Sequence, residues 1–241
     1  METKGKVVSA GIISNERVCP GHYLMELESP GLAVKAVPGQ FVNVLVSEEL
    51  TDPFLRIPLG VHRITKKGIS LFYKVVGTAT RMLSGKIPGE KLNVLGPLGN
   101  GFDLGKETPE DKKPSLLVAG GHGTAPLYAL AEELVKRGGE VTVFIGASSK
   151  NCVTLAEEFR TAGCEVRVAT DDGSSGIKGF VTCAVNEFLE KELGGKTPEI
   201  YACGPEPMLA ALARVTAQKG LRAQVSMDPY MACGTGVCRG C

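Results

Sequence analysis

The stretch "SLLVAGGHGTAPLYALAEELVKRG", residues 115–138, decides the fold. An unbroken apolar run ends in glycines, and apolar residues at helical spacing follow at once. A strand that lacks polar alternation is covered on both faces, which is the situation of a parallel sheet flanked by helices. The same succession recurs in "EVTVFIGAS" before "TLAEEFRTAG", "EVRVATDD" before "FVTCAVNEFLEKEL", and "EIYACG" before "PEPMLAALARVTAQKG". Residues 115–222 are therefore predicted to form an α/β domain with a parallel sheet.

Ligands of such sheets lie at the carboxyl ends of the strands. Gly120, Gly121 and Gly123 follow the first strand and allow close backbone approach, and Thr124 with the amides of the next helix offers donors to a phosphate. Pro126 stands where a third fingerprint glycine would be, so a purely structural turn remains the alternative. Cys203, Gly204 and Pro205 follow the last of these strands and fall at the same sheet edge. Taken singly, Cys203 reads as a core residue and Pro205 as a helix start.

Upstream, residues 6–96 read as six short strands divided by turn signals: "KVVSAGIIS", "YLMELES", "GQFVNVLVS", "LRIPLGVHRI", "ISLFYKVV" and "KLNVLG". Six strands at this spacing predict a small antiparallel barrel over residues 1–100. Residues 101–114, "GFDLGKETPEDKKP", are polar and lack apolar periodicity, which marks a linker. Arg56 is a candidate for bidentate phosphate binding, with the helix begun near Thr80 taking further oxygens; a solvated strand arginine is the alternative.

Composition narrows the function classes. With 27 Lys and Arg against 26 Asp and Glu among 241 residues, no net field favours nucleic acid or an anionic membrane. No apolar run reaches 18 residues and no signal-like start is present, so the cytoplasm is the expected location. Five of the eight cysteines are scattered singly, as buried thiols are. The other three, Cys233, Cys238 and Cys241, crowd into "MACGTGVCRGC" with C-x4-C-x2-C spacing. That spacing matches a plant-type [2Fe–2S] loop, while Cys238 and Cys241 alone supply a zinc-like C-x2-C pair.

Five ordered motifs span nearly the whole chain: "GPLGNGF" from Gly96, the glycine turn from Gly120, "DDGSSGIKGFVT" from Asp171, "YACGPEPML" from Tyr201 and the terminal cysteine stretch. Together they resemble the ferredoxin-reductase superfamily, and within it the electron-transfer subunits of class B dihydroorotate dehydrogenase. The resemblance implies an FAD-binding Greek-key barrel, an NAD-binding α/β domain and a C-terminal [2Fe–2S] segment over residues 223–241. It implies flavin contacts at Arg56, Ile57, Pro58, Leu59, Gly60, Tyr73, Lys74, Gly77, Ala79 and Thr80. Nicotinamide nucleotide contacts are implied at Gly121, Gly123, Thr124, Ala125, Pro126, Cys203, Gly204 and Pro205, and cluster ligands at Cys233, Cys238 and Cys241. Ile57 and Gly60 stand where the family usually carries an arginine and a serine. The family's fourth cysteine lies about a dozen residues past the third, so the 223–241 segment is expected to be truncated.

The implied partner is an FMN-bearing dihydroorotate dehydrogenase catalytic subunit in a heterotetramer of pyrimidine biosynthesis. NADH gives two electrons as hydride and an iron–sulfur cluster takes one at a time, so a flavin between them is required. No acid, base or nucleophile triad is then needed. The alternatives are a subunit of an NADPH-dependent ferredoxin oxidoreductase and a zinc-stabilised nucleotide-binding module.

Overall fold

The computed structural model describes residues 5–47, 49, 52–105, 113–227 and 230–240. The chain forms two compact units, Met1–Gly101 with Pro229–Cys241, and Phe102–Asp228.

The first unit is a closed antiparallel barrel of six strands, as the turn spacing predicts. Strands β1 (Lys6–Cys19), β2 (His22–Glu28), β3 (Phe41–Leu45), β4 (Ile57–Ile64), β5 (Gly68–Lys74) and β6 (Lys91–Leu98) are arranged in the order β1-β2-β5-β4-β3-β6. Two short helices, α1 (Pro30–Ala33) and α2 (Thr78–Ser84), occupy connections. Period-two alternation turns Met25, Leu27, Val42, Val44, Ile69, Leu71, Leu92 and Val94 into one buried cluster. Strand β1 runs past the predicted "KVVSAGIIS" through a stretch that reads as polar. Its first half pairs with β6 and its second half with β2, and irregularities at Ile12/Ser14 and Arg17/Cys19 bend it between the two partners.

Two polar groups hold the barrel's connections. The Thr65 hydroxyl accepts the amides of Lys67 and Gly68, fixing the β4–β5 turn. Tyr73, buried in the core, donates its hydroxyl to Asn15 Oδ1 at 2.8 Å, and Asn15 Nδ2 donates to the carbonyls of Leu83 and Lys86. Helix α2 is thereby tied to the barrel wall.

The second unit holds six parallel strands in the order β10-β9-β8-β7-β11-β12. These are β7 (Ser115–Gly120), β8 (Val141–Ala147), β9 (Glu165–Thr170), β10 (Ile177–Lys178), β11 (Glu199–Cys203) and β12 (Ala223–Ser226). Helices α3 (Thr124–Lys136), α4 (Ala156–Thr161), α5 (Val181–Lys191) and α6 (Glu206–Gln218) connect them. Every residue of β7 is buried, consistent with a strand covered on both faces. Leu116, Val118 and Phe144 pack with Val185, Phe188 and Leu212 of α5 and α6.

Two differences from the sequence reading are local. Ala223–Ser226, assigned there to the cysteine segment, instead extends the sheet as β12 by pairing with Ile200–Cys203. At the start of the predicted linker, Phe102 packs edge-on against Tyr201 at 5.5 Å, and the Asp103 amide donates to Gln224 Oε1. From Phe102 on the linker thus belongs to the second unit, and residues 106–112 lie outside the described part. Among the described residues, no helix is long and apolar enough to cross a membrane.

A Cβ on Gly68 would overlap the Leu27 carbonyl and come 2.8 Å from the Ser29 amide. Gly68→Ala is therefore expected to destabilise the barrel by roughly 1–3 kcal/mol through forced strand separation, measured as a lowered denaturation midpoint. Tyr73→Phe, which leaves one Asn15 acceptor unpaired, should cost about 1 kcal/mol.

Candidate functional site

Strand β7 lies inside the sheet with β8, β9 and β10 on one side and β11 and β12 on the other. The chain leaves β7 in one direction and later returns to its opposite side. This is the topological switch point at which open α/β sheets bind ligands. Cys203 at the end of β11 pairs with Ala119, one residue before the end of β7.

The two loops meet closely because their glycines lack side chains. A Cβ on Gly123 would overlap the Cys203 carbonyl. One on Gly204 would come 2.6 Å from Met208 Cε and 3.0 Å from the Gly120 amide, and one on Gly120 would come 2.8 Å from Pro205 Cδ. Gly121 differs: its φ is +54° and its Cβ direction opens into free space. The predicted crevice thus has two kinds of glycine, those that let the loops touch and one that leaves its mouth clear.

Thr124 does not face the crevice as a donor. It is fully buried, donates its hydroxyl to the Gly121 carbonyl at 3.0 Å, and shares a hydrogen bond with Thr154. Ala125 is also buried, whereas Gly121, His122 and Pro205 are exposed and Pro126 and Gly204 half-buried. Helix α3 begins here with its positive end at the crevice.

In the barrel the strand period sorts the predicted residues into two faces. Ile57, Leu59 and Ala79 pack against the core, and Tyr73 is part of it. Thr80 turns back to accept the amides of Val76 and Gly77 at 2.9 and 3.1 Å. Arg56, Pro58 and Gly60 alternate with the core-facing side chains, while Lys74 and Gly77 are exposed. Arg56 is not a solvated strand residue: its guanidinium donates to the carbonyls of Asn43 and Asn93 and to Asn93 Oδ1. Burial lowers its proton affinity. Nearby, Arg81, Met82, Lys86, Lys91 and Asn93 line a cavity of about 820 Å³ that sequence reading did not single out.

The cysteine loop lies on the barrel unit. Cys233 Sγ accepts the backbone N–H of Thr235 and of Cys238, each at 3.4 Å. Hydrogen bonding from Thr235 first, then from the Cys238 amide, pulls the thiol down to about 6. Gly234 and Gly236 at φ +64° and +82° and Arg239 at +56° produce the tight wrap. Among the described residues no three potential ligands are grouped for a metal; Cys241 lies outside the described residues. Amides aimed at a thiolate sulfur are nonetheless the chemistry that suits a cysteine-ligated cluster. Asn43, which reaches this loop, gave no motif signal, since a single asparagine among valines reads only as a strand interruption.

A six-stranded antiparallel barrel joined to a parallel-sheet unit with a glycine turn at its switch point defines a ferredoxin-reductase-like oxidoreductase. Residues 117–214 match the oxidoreductase NAD-binding domain family. The dihydroorotate dehydrogenase B (NAD(+)) electron transfer subunit of Desulforamulus reducens is 38% identical over 238 residues, covering 98% of this chain and 88% of that protein. Its namesake from Geobacillus kaustophilus is 43% identical over 207 residues, covering 85% and 76%. Among solved structures, an NADH-dependent reduced ferredoxin–NADP oxidoreductase studied for flavin-based electron bifurcation superimposes with a TM-score of 0.80 at 31% identity, covering 96% of this chain and 80% of that one. The ferredoxin reductase of carbazole 1,9a-dioxygenase shares the fold, with a TM-score of 0.75 at 21% identity, covering 92% and 69%. The chain belongs to the electron transfer subunits of dihydroorotate dehydrogenase B. It is an electron-transfer oxidoreductase that works as a subunit beside a catalytic partner.

The two kinds of glycine separate by mutation. Gly121→Asn keeps a residue tolerant of positive φ while placing a side chain at the crevice mouth, and is expected to raise the KM for NADH about tenfold with the fold intact. Gly123→Ala should instead lower stability, seen in thermal unfolding. In the metal-free chain, alkylation of Cys233 is expected to rise through about pH 6, because the thiolate forms as pH passes the lowered value. Burial pushes Cys164 up to about 11, so it should stay unreactive at pH 7, and Thr235→Ala should move the Cys233 inflection upward. Mass spectrometry of the labelled peptides checks both.

Proposed function

We propose that this chain passes electrons between NAD(H) and an FMN-bearing dihydroorotate dehydrogenase catalytic subunit, in a cytoplasmic heterotetramer of pyrimidine biosynthesis. It does so with FAD on the barrel and a [2Fe–2S] cluster at the terminal cysteines. Support for the nucleotide comes from the crevice between β7 and β11, where Gly121 leaves the mouth open and the start of α3 favours a phosphate. The flavin is supported by the outward set Arg56, Pro58 and Gly60, by the exposed turn at Gly77, and by the adjoining cavity, whose lining carries Arg81, Lys86 and Lys91 beside Glu49 and Glu90.

The observation that carries the reading is the cysteine loop. Cys233, Cys238 and Cys241 would hold the cluster, and the Thr235 and Cys238 amides stabilise negative charge on the Cys233 sulfur before any metal arrives. When bound, FAD exchanges electron pairs with NAD(H) and single electrons with the cluster. The protein's own task is positional. Arg56 is fixed by Asn93 and by β3, and Tyr73 and Asn15 hold the turn that leads to Gly77. No proton-transfer group is called for in this scheme.

A second reading, a subunit of an NADPH-dependent ferredoxin oxidoreductase, is favoured by the 31% identity to the bifurcating enzyme and by Ile57 in "RIPL". Purification of the full-length protein separates the two. The expected result is FAD by mass analysis, about two irons per chain, bleaching of the flavin by NADH, and co-purification with an FMN protein that oxidises dihydroorotate. Release of FMN from this chain, or binding of zinc with no iron uptake under anaerobic reconstitution, would overturn the proposal.

A further inference from the structure

Asn43 sits between Val42 and Val44, whose side chains enter the barrel core, so by strand alternation it points outward. It is nevertheless only 1% exposed, because the cysteine loop covers it. Its Nδ2 donates to the Cys233 carbonyl at 2.9 Å, and a Cβ on Gly234 would overlap that same nitrogen. The Asn43 Oδ1 is buried with no hydrogen-bond partner. An outward, covered position of this kind would be filled more cheaply by an apolar side chain, since a buried unpaired amide oxygen is costly. The amide is explained by the one bond it makes to the loop.

The same residue is the cross-strand neighbour of Pro58 on β4, and its carbonyl accepts from Arg56. Adjacent strands lie about 4.8 Å apart. The loop is therefore anchored one strand away from the outward stretch Arg56–Gly60.

We infer that Asn43 is the positioning residue of the cysteine loop: its amide clamps the Cys233 carbonyl to β3 and so fixes the cluster ligands at a set distance from the flavin-facing stretch of β4. This deepens the electron-transfer reading and rests on it for the cluster, while the clamp itself is a property of the polypeptide.

The test uses the full-length protein and three variants, Asn43→Leu, Asn43→Asp and Gly234→Ala. Leucine keeps the branched shape at a larger volume without the donor, aspartate replaces the donor with an acceptor, and Gly234→Ala, at a positive φ, disturbs both the contact and the turn from the loop side should the barrel variants fail to fold. In each variant, amide hydrogen exchange at Thr235 and Cys238 is expected to speed up about tenfold, the scale of one lost hydrogen bond to a buried group. Iron should be lost faster and electron passage from reduced flavin to the cluster should slow, whereas barrel amide exchange, flavin content and flavin reduction by NADH should stay at wild-type levels. Unchanged loop exchange and iron retention in the folded variants would overturn the clamp, as would barrel amides losing protection in parallel with the loop. A wild-type protein without iron whose loop exchange still responds to Asn43→Leu would remove the cluster reading and leave the clamp standing.

Discussion

Strand β3 is the member on which the barrel and both of its outer features depend. It is only five residues long, yet it joins β4 to β6 and so closes the barrel. Val42 and Val44 fill the interior, the Asn43 carbonyl receives Arg56, and the Asn43 amide receives the cysteine loop. Each demand falls on a different group of the same three residues. A strand with one residue more or less before Asn43 would turn the valines out and the amide in, so register here is fixed by the core and the sites together.

In the second unit the equivalent constraint is backbone contact between two loops. Parallel strands space their carboxyl ends about 4.8 Å apart, and a ligand crevice at the switch point needs the loops there to turn away without side chains in the gap. Gly120, Gly123 and Gly204 meet that need, since a Cβ on any of them would run into the neighbouring loop. Thr124 reinforces the turn by bonding inward to Gly121 and Thr154. Glycine richness therefore has a structural cause that a pyrophosphate site would share, which is why the turn and the pyrophosphate readings cannot be separated from the letters alone.

Both architectures are legible in the sequence: the barrel in six short strands at regular, turn-divided spacing, the α/β unit in continuous apolar runs followed by helical spacing. The meeting of Gly123 with Cys203 was legible too, since strand order at a switch point follows from topology. What escaped was decided by pairing partners far along the chain. Strand β1 continues through polar residues because β2 waits to pair with them. Strand β12 is four residues with no run of its own, recruited by β11. Thr124 bonds inward, and a hydroxyl beside a glycine turn looks alike in sequence whether it bonds outward or inward. The sequence offers Arg56 phosphate or solvent, whereas its partners, Asn43 and Asn93, lie on two other strands.

The cysteine loop is held to the barrel by little. Asn43 and Cys233 are 190 residues apart, but closure entropy grows only logarithmically with separation, so distance in sequence is a minor charge against the contact. The larger one is the ordering of the loop itself, at about 1–2 kcal/mol per residue of backbone, against about 1 kcal/mol net from a single hydrogen bond. Hydrophobic cover contributes little to the difference, since Tyr230 is fully exposed and Val237 84% exposed. The two amides on Cys233 Sγ and the left-handed residues Gly234, Gly236 and Arg239 shape the wrap without supplying much free energy. Thiolate–metal bonds are the interaction of the right size to complete that balance, because metal affinity at such loops is itself folding free energy. The polypeptide supplies the place and the geometry of the loop, and the proposed ligation would supply its stability.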